Sequence, residues 1–189
     1  MRLPYVSDPP PVTSAPEEAI VARIRSRRAP NPLQALDLTL LHSPPVADGW
    51  NSFLGAIRTR TSLPADIREV AICRVAVLNQ AWYEWMHHAP LAFAGGVSEA
   101  GLRSLRDTGS AGRGKEFEEG LTEKQAAVKV YTDAMTKDVV VSEEVFARVK
   151  GLFSEREVVE ITATVAAYNC VSRFLVALDV GEQNGKKPE

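Results

Sequence analysis

The stretch REVAICRVAVLNQAWYEWMHHAPLA, residues 68–92, decides the fold of this chain. Its first half is an apolar run rich in β-branched residues, a composition that also occurs in buried strands. The length of the run and its flanking helix-forming residues favour a helix instead. The pair Asn79-Gln80 predicts a break, because asparagine tolerates the left-handed backbone conformation, and a second helix follows it.

Glu69 lies on a face of the first helix that is otherwise apolar. The residues that share this face are Ile72, Cys73, Ala76 and Val77. A buried carboxylate without a partner is costly and tends to take up a proton. Glu69 therefore needs either a chemical function or a structural partner, and an arginine such as Arg68 or Arg74 is the structural alternative.

On the second helix, Ala81, Glu84 and His88 form one stripe, and His87 borders it. Glu84 and His88 are four residues apart, so we expect them to touch. A carboxylate beside an imidazole is competent for proton transfer near neutral pH. The expected apolar walls are Trp82, Tyr83, Trp85 and Met86. Pro90 predicts a bend or an end of this helix.

Simpler interpretations of these side chains remain open. His87 is equally well explained as a solvated histidine, and each aromatic residue as ordinary core. The spacing Glu84-x-x-His87 also matches an element of di-iron helical bundles, but that site needs a second such element. Only His42 remains in the chain, so no metal site is predicted.

The rest of the sequence predicts an all-α protein. Candidate helix N-caps recur along the chain, namely Ser14, Thr61 or Ser62, Ser98, Thr122, Ser142 and Ser154, and Gly181 is expected to end the last helix. Residues 1–13 are expected to be an extended arm, and the glycine-rich residues 107–120 a linker between helical halves. We expect a single domain over residues 1–189.

Composition excludes several classes of protein. The chain has 189 residues, 45% of them apolar, which suits one globular core, and its net charge of −2 gives no reason to expect nucleic acid as a partner. No uninterrupted apolar run approaches the roughly 18–20 residues of a membrane span. The two cysteines are not in a CxxC pair, and the N-terminus lacks the apolar region of a signal peptide. We expect a cytoplasmic protein without a membrane partner.

Residues 68–92 resemble the signature of the carboxymuconolactone decarboxylase family, which includes alkylhydroperoxidase D-like proteins. The resemblance extends upstream to LDLTLLHSPPVADGWNSFLGAIRTRTSLP and downstream to the segment that begins LTEKQAAVKVYTDAM, so that it covers roughly residues 30–180. The peroxidase branch carries a glutamate, a CxxC pair and a histidine. The glutamate matches Glu69 and the histidine matches His88, whereas the two cysteine positions fall on Ala81 and Glu84. The chain is thus similar to a branch without the CxxC pair.

The resemblance implies an alkylhydroperoxidase D-like helical fold with a pseudo-repeated helical core. It also implies a homo-oligomer, with a trimer or a hexamer expected, and no cofactor. The segment REVAICRVAV, which begins at Arg68, is similar to REVVEITATV, which begins at Arg156. This similarity agrees with an internal repeat of a helical unit.

The function expected on this basis is that of a lyase or decarboxylase acting on a small lactone, enol or carboxylic acid. Glu69, Glu84 and His88 are the expected catalytic residues. The expected substrate contacts are His42, Trp50, Tyr83 and His87. An isomerase, dehydratase or cyclase would use the same acid–base groups, and a non-catalytic binding protein is a further alternative. A thiol peroxidase is disfavoured because it needs two thiols close together.

Overall fold

The computed structural model describes residues 1–108 and 118–187, and over these ranges it contains nine α-helices and no strand. The predicted all-α class is confirmed. The helices are α1 (Ala15–Arg28), α2 (Ala35–Leu40), α3 (Pro44–Thr59), α4 (Ala65–Leu78), α5 (Trp82–Ala94), α6 (Glu99–Arg106), α7 (Glu123–Lys137), α8 (Glu143–Leu152) and α9 (Glu155–Leu178). A short 3₁₀ turn, Val180–Glu182, follows α9.

The chain divides into two compact units, of which the first comprises residues 1–60 and 178–182. Here α1 packs against α3, and α2 packs against α3 and the 3₁₀ turn. The buried Asp37 carboxylate accepts hydrogen bonds from the Arg28 guanidinium at 2.7 and 2.9 Å. Residues 1–13 are not helical, and the Met1 amino group lies 3.3 Å from the Asp179 carboxylate. This end of the chain is therefore held by residues of its own unit.

The second unit comprises residues 61–177 and 183–189, and α4 is its central helix. α4 is surrounded by protein, since residues 69–77, which cover every side of the helix, are all buried. α5, α6 and α7 pack against it, and α8 packs against α7. Glu69, Cys73 and Arg74 are thereby enclosed in the core.

α4 and α5 are separated by the predicted break. α4 ends at Leu78, and Gln80 has a φ of 54°, so the left-handed residue is the glutamine and not the asparagine. The Asn79 side chain instead donates hydrogen bonds to the Asn169 side chain at 3.1 Å and to Ser172 Oγ at 2.7 Å. These bonds fix the end of α4 against α9, and the chain then turns back along α4.

Most of the predicted N-caps are present. Ser14, Ser98, Thr122 and Ser142 each accept a hydrogen bond from the backbone of the first turn, and Ser154 exchanges hydrogen bonds with Glu157. The prediction of Thr61 or Ser62 as a cap was wrong. Pro64 precedes α4 without a side-chain cap, and Ser62 binds the Glu160 carboxylate on α9 instead.

Two further helix boundaries differ from the expectation. Pro90 lies inside α5, which continues to Ala94, so it does not end that helix. A proline costs a helix one backbone hydrogen bond, which the packing of α5 on α4 offsets. α9 ends at Leu178, where Asp179 adopts a φ of 53°, and Gly181 belongs to the following turn.

Most of the predicted linker, residues 107–120, lies outside the described residues, but both of its ends are anchored. Arg74 Nη1 donates to the Asp107 carbonyl oxygen at 2.7 Å, and Ser98 Oγ donates to the Gly120 carbonyl oxygen at 2.8 Å. Gly120 has a φ of 75°, and a Cβ added there would lie 2.4 Å from the Ala100 side chain. Only glycine fits this position.

α9 is the helix within the described ranges that is long and apolar enough to cross a membrane by length and composition. The core helices of soluble proteins can be equally long and apolar, so one such helix is weak evidence for a membrane span. Its buried residues include Ile161, Val165, Tyr168 and Leu175, which are packed inside the protein. The expected absence of a membrane partner stays a prediction.

We predict that Arg74→Met lowers the free energy of unfolding by about 3–5 kcal/mol, because it leaves the Asp133 carboxylate without its bidentate partner. Arg74 is fully buried, and its Nη2 donates to Asp133 Oδ2 at 2.8 Å. Urea denaturation measures the loss. Arg103→Met, which removes an exposed arginine from α6, is the control and should change stability little. Equal losses in the two variants would contradict the prediction.

Candidate active site

His88 and Glu69 form a buried hydrogen bond across the α4–α5 hairpin. His88 Nδ1 lies 2.7 Å from Glu69 Oε2, and the two residues are 6% and 2% exposed. The two residues lie at similar distances along the chain from the break at Asn79-Gln80, so the antiparallel return of α5 brings them to the same level. The contact between these two residues is therefore a direct product of the hairpin.

The Glu69 carboxylate has a second partner. Arg68 Nε donates to Glu69 Oε1 at 3.2 Å, so the arginine considered as a structural partner is present together with the histidine. Burial raises the pKa of Glu69, but the hydrogen bond and charge of His88 and the charge of Arg68 outweigh burial and hold the pKa below 4.5. Glu69 is therefore ionised, and His88 Nδ1 must donate to it.

Glu84 is buried without any such partner. Both carboxyl oxygens are enclosed, and neither forms a hydrogen bond with any of the described residues. Burial raises the pKa of Glu84 well above 4.5, so that the neutral acid is favoured. Although the spacing of Glu84 and His88 led us to expect that they touch, no hydrogen bond joins them, and His88 Nδ1 meets the Glu69 carboxylate instead.

Tyr168 of α9 completes the surroundings of His88. The Tyr168 hydroxyl lies 3.3 Å from His88 Nε2, and the two rings meet edge to face with centroids 5.1 Å apart. Tyr168 is not among the residues that the sequence predicts for the site. A signal was present, because Tyr168 is a phenol on the buried stripe of α9 that also carries Ile161, Val165, Ser172 and Leu175.

Cys73 lies close to both carboxyl groups but is not a reactive thiol. It is fully buried, and burial raises its pKa well above 9.0, with a further contribution from the charges of Glu69 and Glu84. A thiol without thiolate character is a poor nucleophile. Ala81, which like Glu84 stands at a position where the resembled peroxidases carry cysteine, is also buried.

Three of the four side chains predicted as apolar walls are buried, and the fourth is not. Trp82, Tyr83 and Trp85 are each less than 10% exposed, whereas Met86 is 45% exposed and is not an inner wall. His87 is also exposed, and its Nδ1 bonds to the Tyr83 carbonyl oxygen at 2.8 Å. Met86 lies on the outer face of α5, opposite the stripe of Glu84 and His88, whereas His87 is exposed at the border of that stripe.

His42 and Trp50 belong to the first unit, whereas Glu69, Glu84 and His88 belong to the second. His42 Nε2 bonds to the Pro4 carbonyl oxygen at 2.7 Å, and Trp50 lines a small cavity together with Ile24 and Leu40. A contact between either residue and a substrate stays a prediction. No cluster of three potential metal ligands occurs within residues 1–108 and 118–187.

The fold is that of the alkylhydroperoxidase D-like proteins. An uncharacterized peroxidase-related protein from Silicibacter sp. TM1040 superimposes with a TM-score of 0.72 at 14% identity, over 96% of this chain and 95% of that one. A protein of unknown function from Agrobacterium tumefaciens, which carries the name of the antioxidant defence protein AhpD, superimposes with a TM-score of 0.62 at 19% identity, over 73% and 90%.

A variant of the debrominase Bmp8, in complex with 2,3,4-tribromopyrrole, has a TM-score of 0.67 at 16% identity, over 90% of this chain and 88% of that one. Residues 44–123 match the model of the Carboxymuconolactone decarboxylase family, the family that residues 68–92 resemble. A search of curated sequences finds no significant match. The family match includes Glu69, Glu84 and His88 and ends before Tyr168.

The raised pKa of Glu84 generates a prediction about stability. The folded protein binds a proton at Glu84 over a pH range in which the unfolded chain has lost it, so this group destabilises the fold as pH rises from 4.5 toward its folded pKa. Glu84→Gln removes this effect. The stability of the variant relative to wild type should increase with pH by about 1.4 kcal/mol per unit in that range and then become constant.

Glu69→Gln is the matched comparison, because its effect has the opposite sign. The folded pKa of Glu69 is lowered, so its stabilising contribution is present above 4.5 and is lost as pH falls through the folded value. Thermal or urea unfolding over a pH series measures both variants. A pH-independent difference between Glu84→Gln and wild type would show that Glu84 titrates as an ordinary carboxyl group.

Proposed function

We propose that this protein is a cofactor-independent acid–base enzyme that acts on a small lactone, enol or carboxylic acid, with decarboxylation as the first candidate reaction. One observation carries the proposal. The two buried carboxyl groups of the site have pKa values displaced in opposite directions, upward for Glu84 and downward for Glu69. Such a divergence separates a proton donor from a charged partner within one site.

Glu84 is the proposed proton donor. Its carboxylic acid has no protein partner among the described residues, and a substrate oxygen or carbon would supply one. In a decarboxylation, the bond from the substrate carboxylate to carbon breaks, its electron pair enters the conjugated system as a dienolate, and carbon dioxide leaves. Glu84 then gives its proton to carbon, and solvent returns a proton to the carboxylate.

His88 and Glu69 are the proposed proton-carrying pair. Because Glu69 accepts from Nδ1, the neutral imidazole has its lone pair on Nε2, and Glu69 stabilises the imidazolium that forms when Nε2 takes up a proton. In this proposal Glu69, and not Glu84, is the carboxylate partner of the histidine. Arg68 adds a positive charge beside Glu69, which favours an anionic substrate at this site.

The resemblance to the debrominase supports a small, flat substrate. That protein is bound to 2,3,4-tribromopyrrole, a planar heteroaromatic ring, and muconolactone-type acids are also small and conjugated. We propose Tyr83 as a pocket wall, and His42, Trp50 and His87 as substrate contacts. A homo-oligomer, with a trimer or hexamer expected, and a cytoplasmic location remain predictions of the resemblance and of the composition.

Proton transfer without loss of carbon dioxide is the runner-up reaction. An isomerase, dehydratase or cyclase needs a base that removes a proton at one position and an acid that donates at another. His88–Glu69 and Glu84 supply such a pair equally well. Incorporation of solvent deuterium into substrate without carbon dioxide release would identify this class.

A thiol peroxidase is the third candidate, and the site argues against it. The positions of the two expected thiols hold Ala81 and Glu84, and the buried Cys73 has a raised pKa. The exposed Cys170 lies on α9. Trapping of a sulfenic acid on either cysteine after treatment with peroxide would support this activity.

We predict that His88→Ala and Glu84→Gln each lower turnover by about 10²–10⁴-fold, the usual contribution of a positioned acid or base. The assay measures carbon dioxide release and solvent deuterium incorporation from a panel of small lactones, enols and conjugated carboxylic acids. The wild-type rate should fall as pH rises through the folded pKa of Glu84, because the donor is then ionised.

Glu144→Gln is the control for Glu84→Gln, since it makes the same change at an exposed position on α8 and should keep the wild-type rate. Circular dichroism should show intact helices in all variants. Full turnover in both site variants would contradict the proposal. Binding of an acid from the panel without any turnover would instead identify a binding protein.

A further inference from the structure

Both ring nitrogens of His88 are already engaged by protein atoms. Nδ1 meets Glu69 Oε2 at 2.7 Å, and Nε2 meets the Tyr168 hydroxyl at 3.3 Å. A substrate that approached Nε2 directly would have to displace the phenol. Tyr168 is therefore the group at the end of this hydrogen-bonded row that is opposite Glu69.

We infer that Tyr168 is a further catalytic residue, whose hydroxyl group exchanges a proton with the substrate. In this role His88 exchanges a proton with the Tyr168 hydroxyl group, and Glu69 orients His88 and stabilises its positive charge. This inference rests on the proposed function, because it assumes that the site transfers protons. The family match ends at residue 123, so it does not extend to Tyr168.

The direction of the hydrogen bonds supports this role. A carboxylate can only accept, so Glu69 requires the proton of the neutral imidazole to be on Nδ1. Nε2 is then an acceptor, and the Tyr168 hydroxyl must donate to it. This order of donors and acceptors is that of a catalytic triad in which a carboxylate orients a histidine and the histidine activates a hydroxyl group.

The proton balance of the step is complete. As a base, Tyr168 passes its hydroxyl proton to Nε2 and takes a proton from a substrate C–H or O–H, whose electron pair stays on the substrate as an enolate. The imidazolium is then paired with the Glu69 carboxylate. In reverse, Nε2 returns the proton to the phenol oxygen as the phenol protonates the substrate, so no oxidant or reductant is needed.

The position of Tyr168 is fixed by its neighbours on α9. The adjacent Asn169 accepts from Asn79 at the end of α4 and donates to Thr136 Oγ1 of α7 at 3.0 Å. Tyr168 itself is only 2% exposed. A buried phenol held in this way loses little freedom when the reaction begins, which is what a proton donor or acceptor requires.

The first test needs no substrate and uses ¹⁵N-histidine nuclear magnetic resonance of the full chain. We expect His88 to carry its neutral proton on Nδ1 and the Nε2 resonance to shift in Tyr168→Phe. Tyr131→Phe is the matched control, because it removes another buried phenol hydroxyl group. The hydroxyl of Tyr131, on α7, lies 2.8 Å from Thr162 Oγ1, on α9. A proton on Nε2 in the wild type, or equal effects of the two variants, would overturn the inference.

The second test uses the acid that the wild-type protein turns over fastest in the panel above. Tyr168→Phe should lower kcat by about 10²–10⁴-fold, with a smaller effect on KM, and Tyr131→Phe should keep the wild-type kcat. The double variant His88→Ala/Tyr168→Phe should be no slower than the slower single variant, because residues that act as a unit are not additive.

The outcomes separate the two proposals. If His88→Ala abolishes turnover while Tyr168→Phe keeps it, His88 meets the substrate directly and only the inference about Tyr168 is overturned. If the loss of turnover in the double variant equals the product of the losses in the two single variants, the inference about Tyr168 is also overturned, because the two side chains then act independently. If His88→Ala keeps full turnover, the proposed function itself fails.

Discussion

The buried hydrogen bond between His88 and Glu69 is the interaction on which the site depends. It joins α4 to α5, the two helices of the central hairpin, and it fixes the charge of one residue and the tautomer of the other. A buried carboxylate without such a partner would be expected to take up a proton. Glu84, on the same hairpin, has no hydrogen-bond partner within the described part of the chain and does favour the neutral form.

The surrounding helices hold this hairpin in one geometry. Asn79 at the turn is bonded to α9, and Arg74 on α4 is bonded to Asp133 on α7 and to the start of the 107–120 segment. These bonds are made by side chains that are largely buried, so each is costly to break. The polar network therefore fixes the relative registers of α4, α7 and α9, which sets the distance from Tyr168 to His88.

The site carries different side chains from those of a thiol peroxidase, although the resembled fold that holds them is the same. Glu69 and His88 stand where the resembled peroxidases have their glutamate and histidine, and the cysteine positions hold a methyl group and a neutral carboxylic acid. Under the proposed function, this exchange replaces a redox pair by a proton donor. A frame that holds two ionisable groups away from water suits either chemistry, since burial is what displaces their pKa values.

The sequence by itself determined the all-α class, most helix starts, the break at Asn79-Gln80 and the presence of Glu69, Glu84 and His88 in one hairpin. These follow from local periodicity and capping, which depend on residues close together in the chain. Only the tertiary structure decided that Glu69, and not Glu84, is the partner of His88, and that Tyr168 reaches the other ring nitrogen. Both contacts join different helices, and helical periodicity gives the face of a residue but not the helix that packs against it.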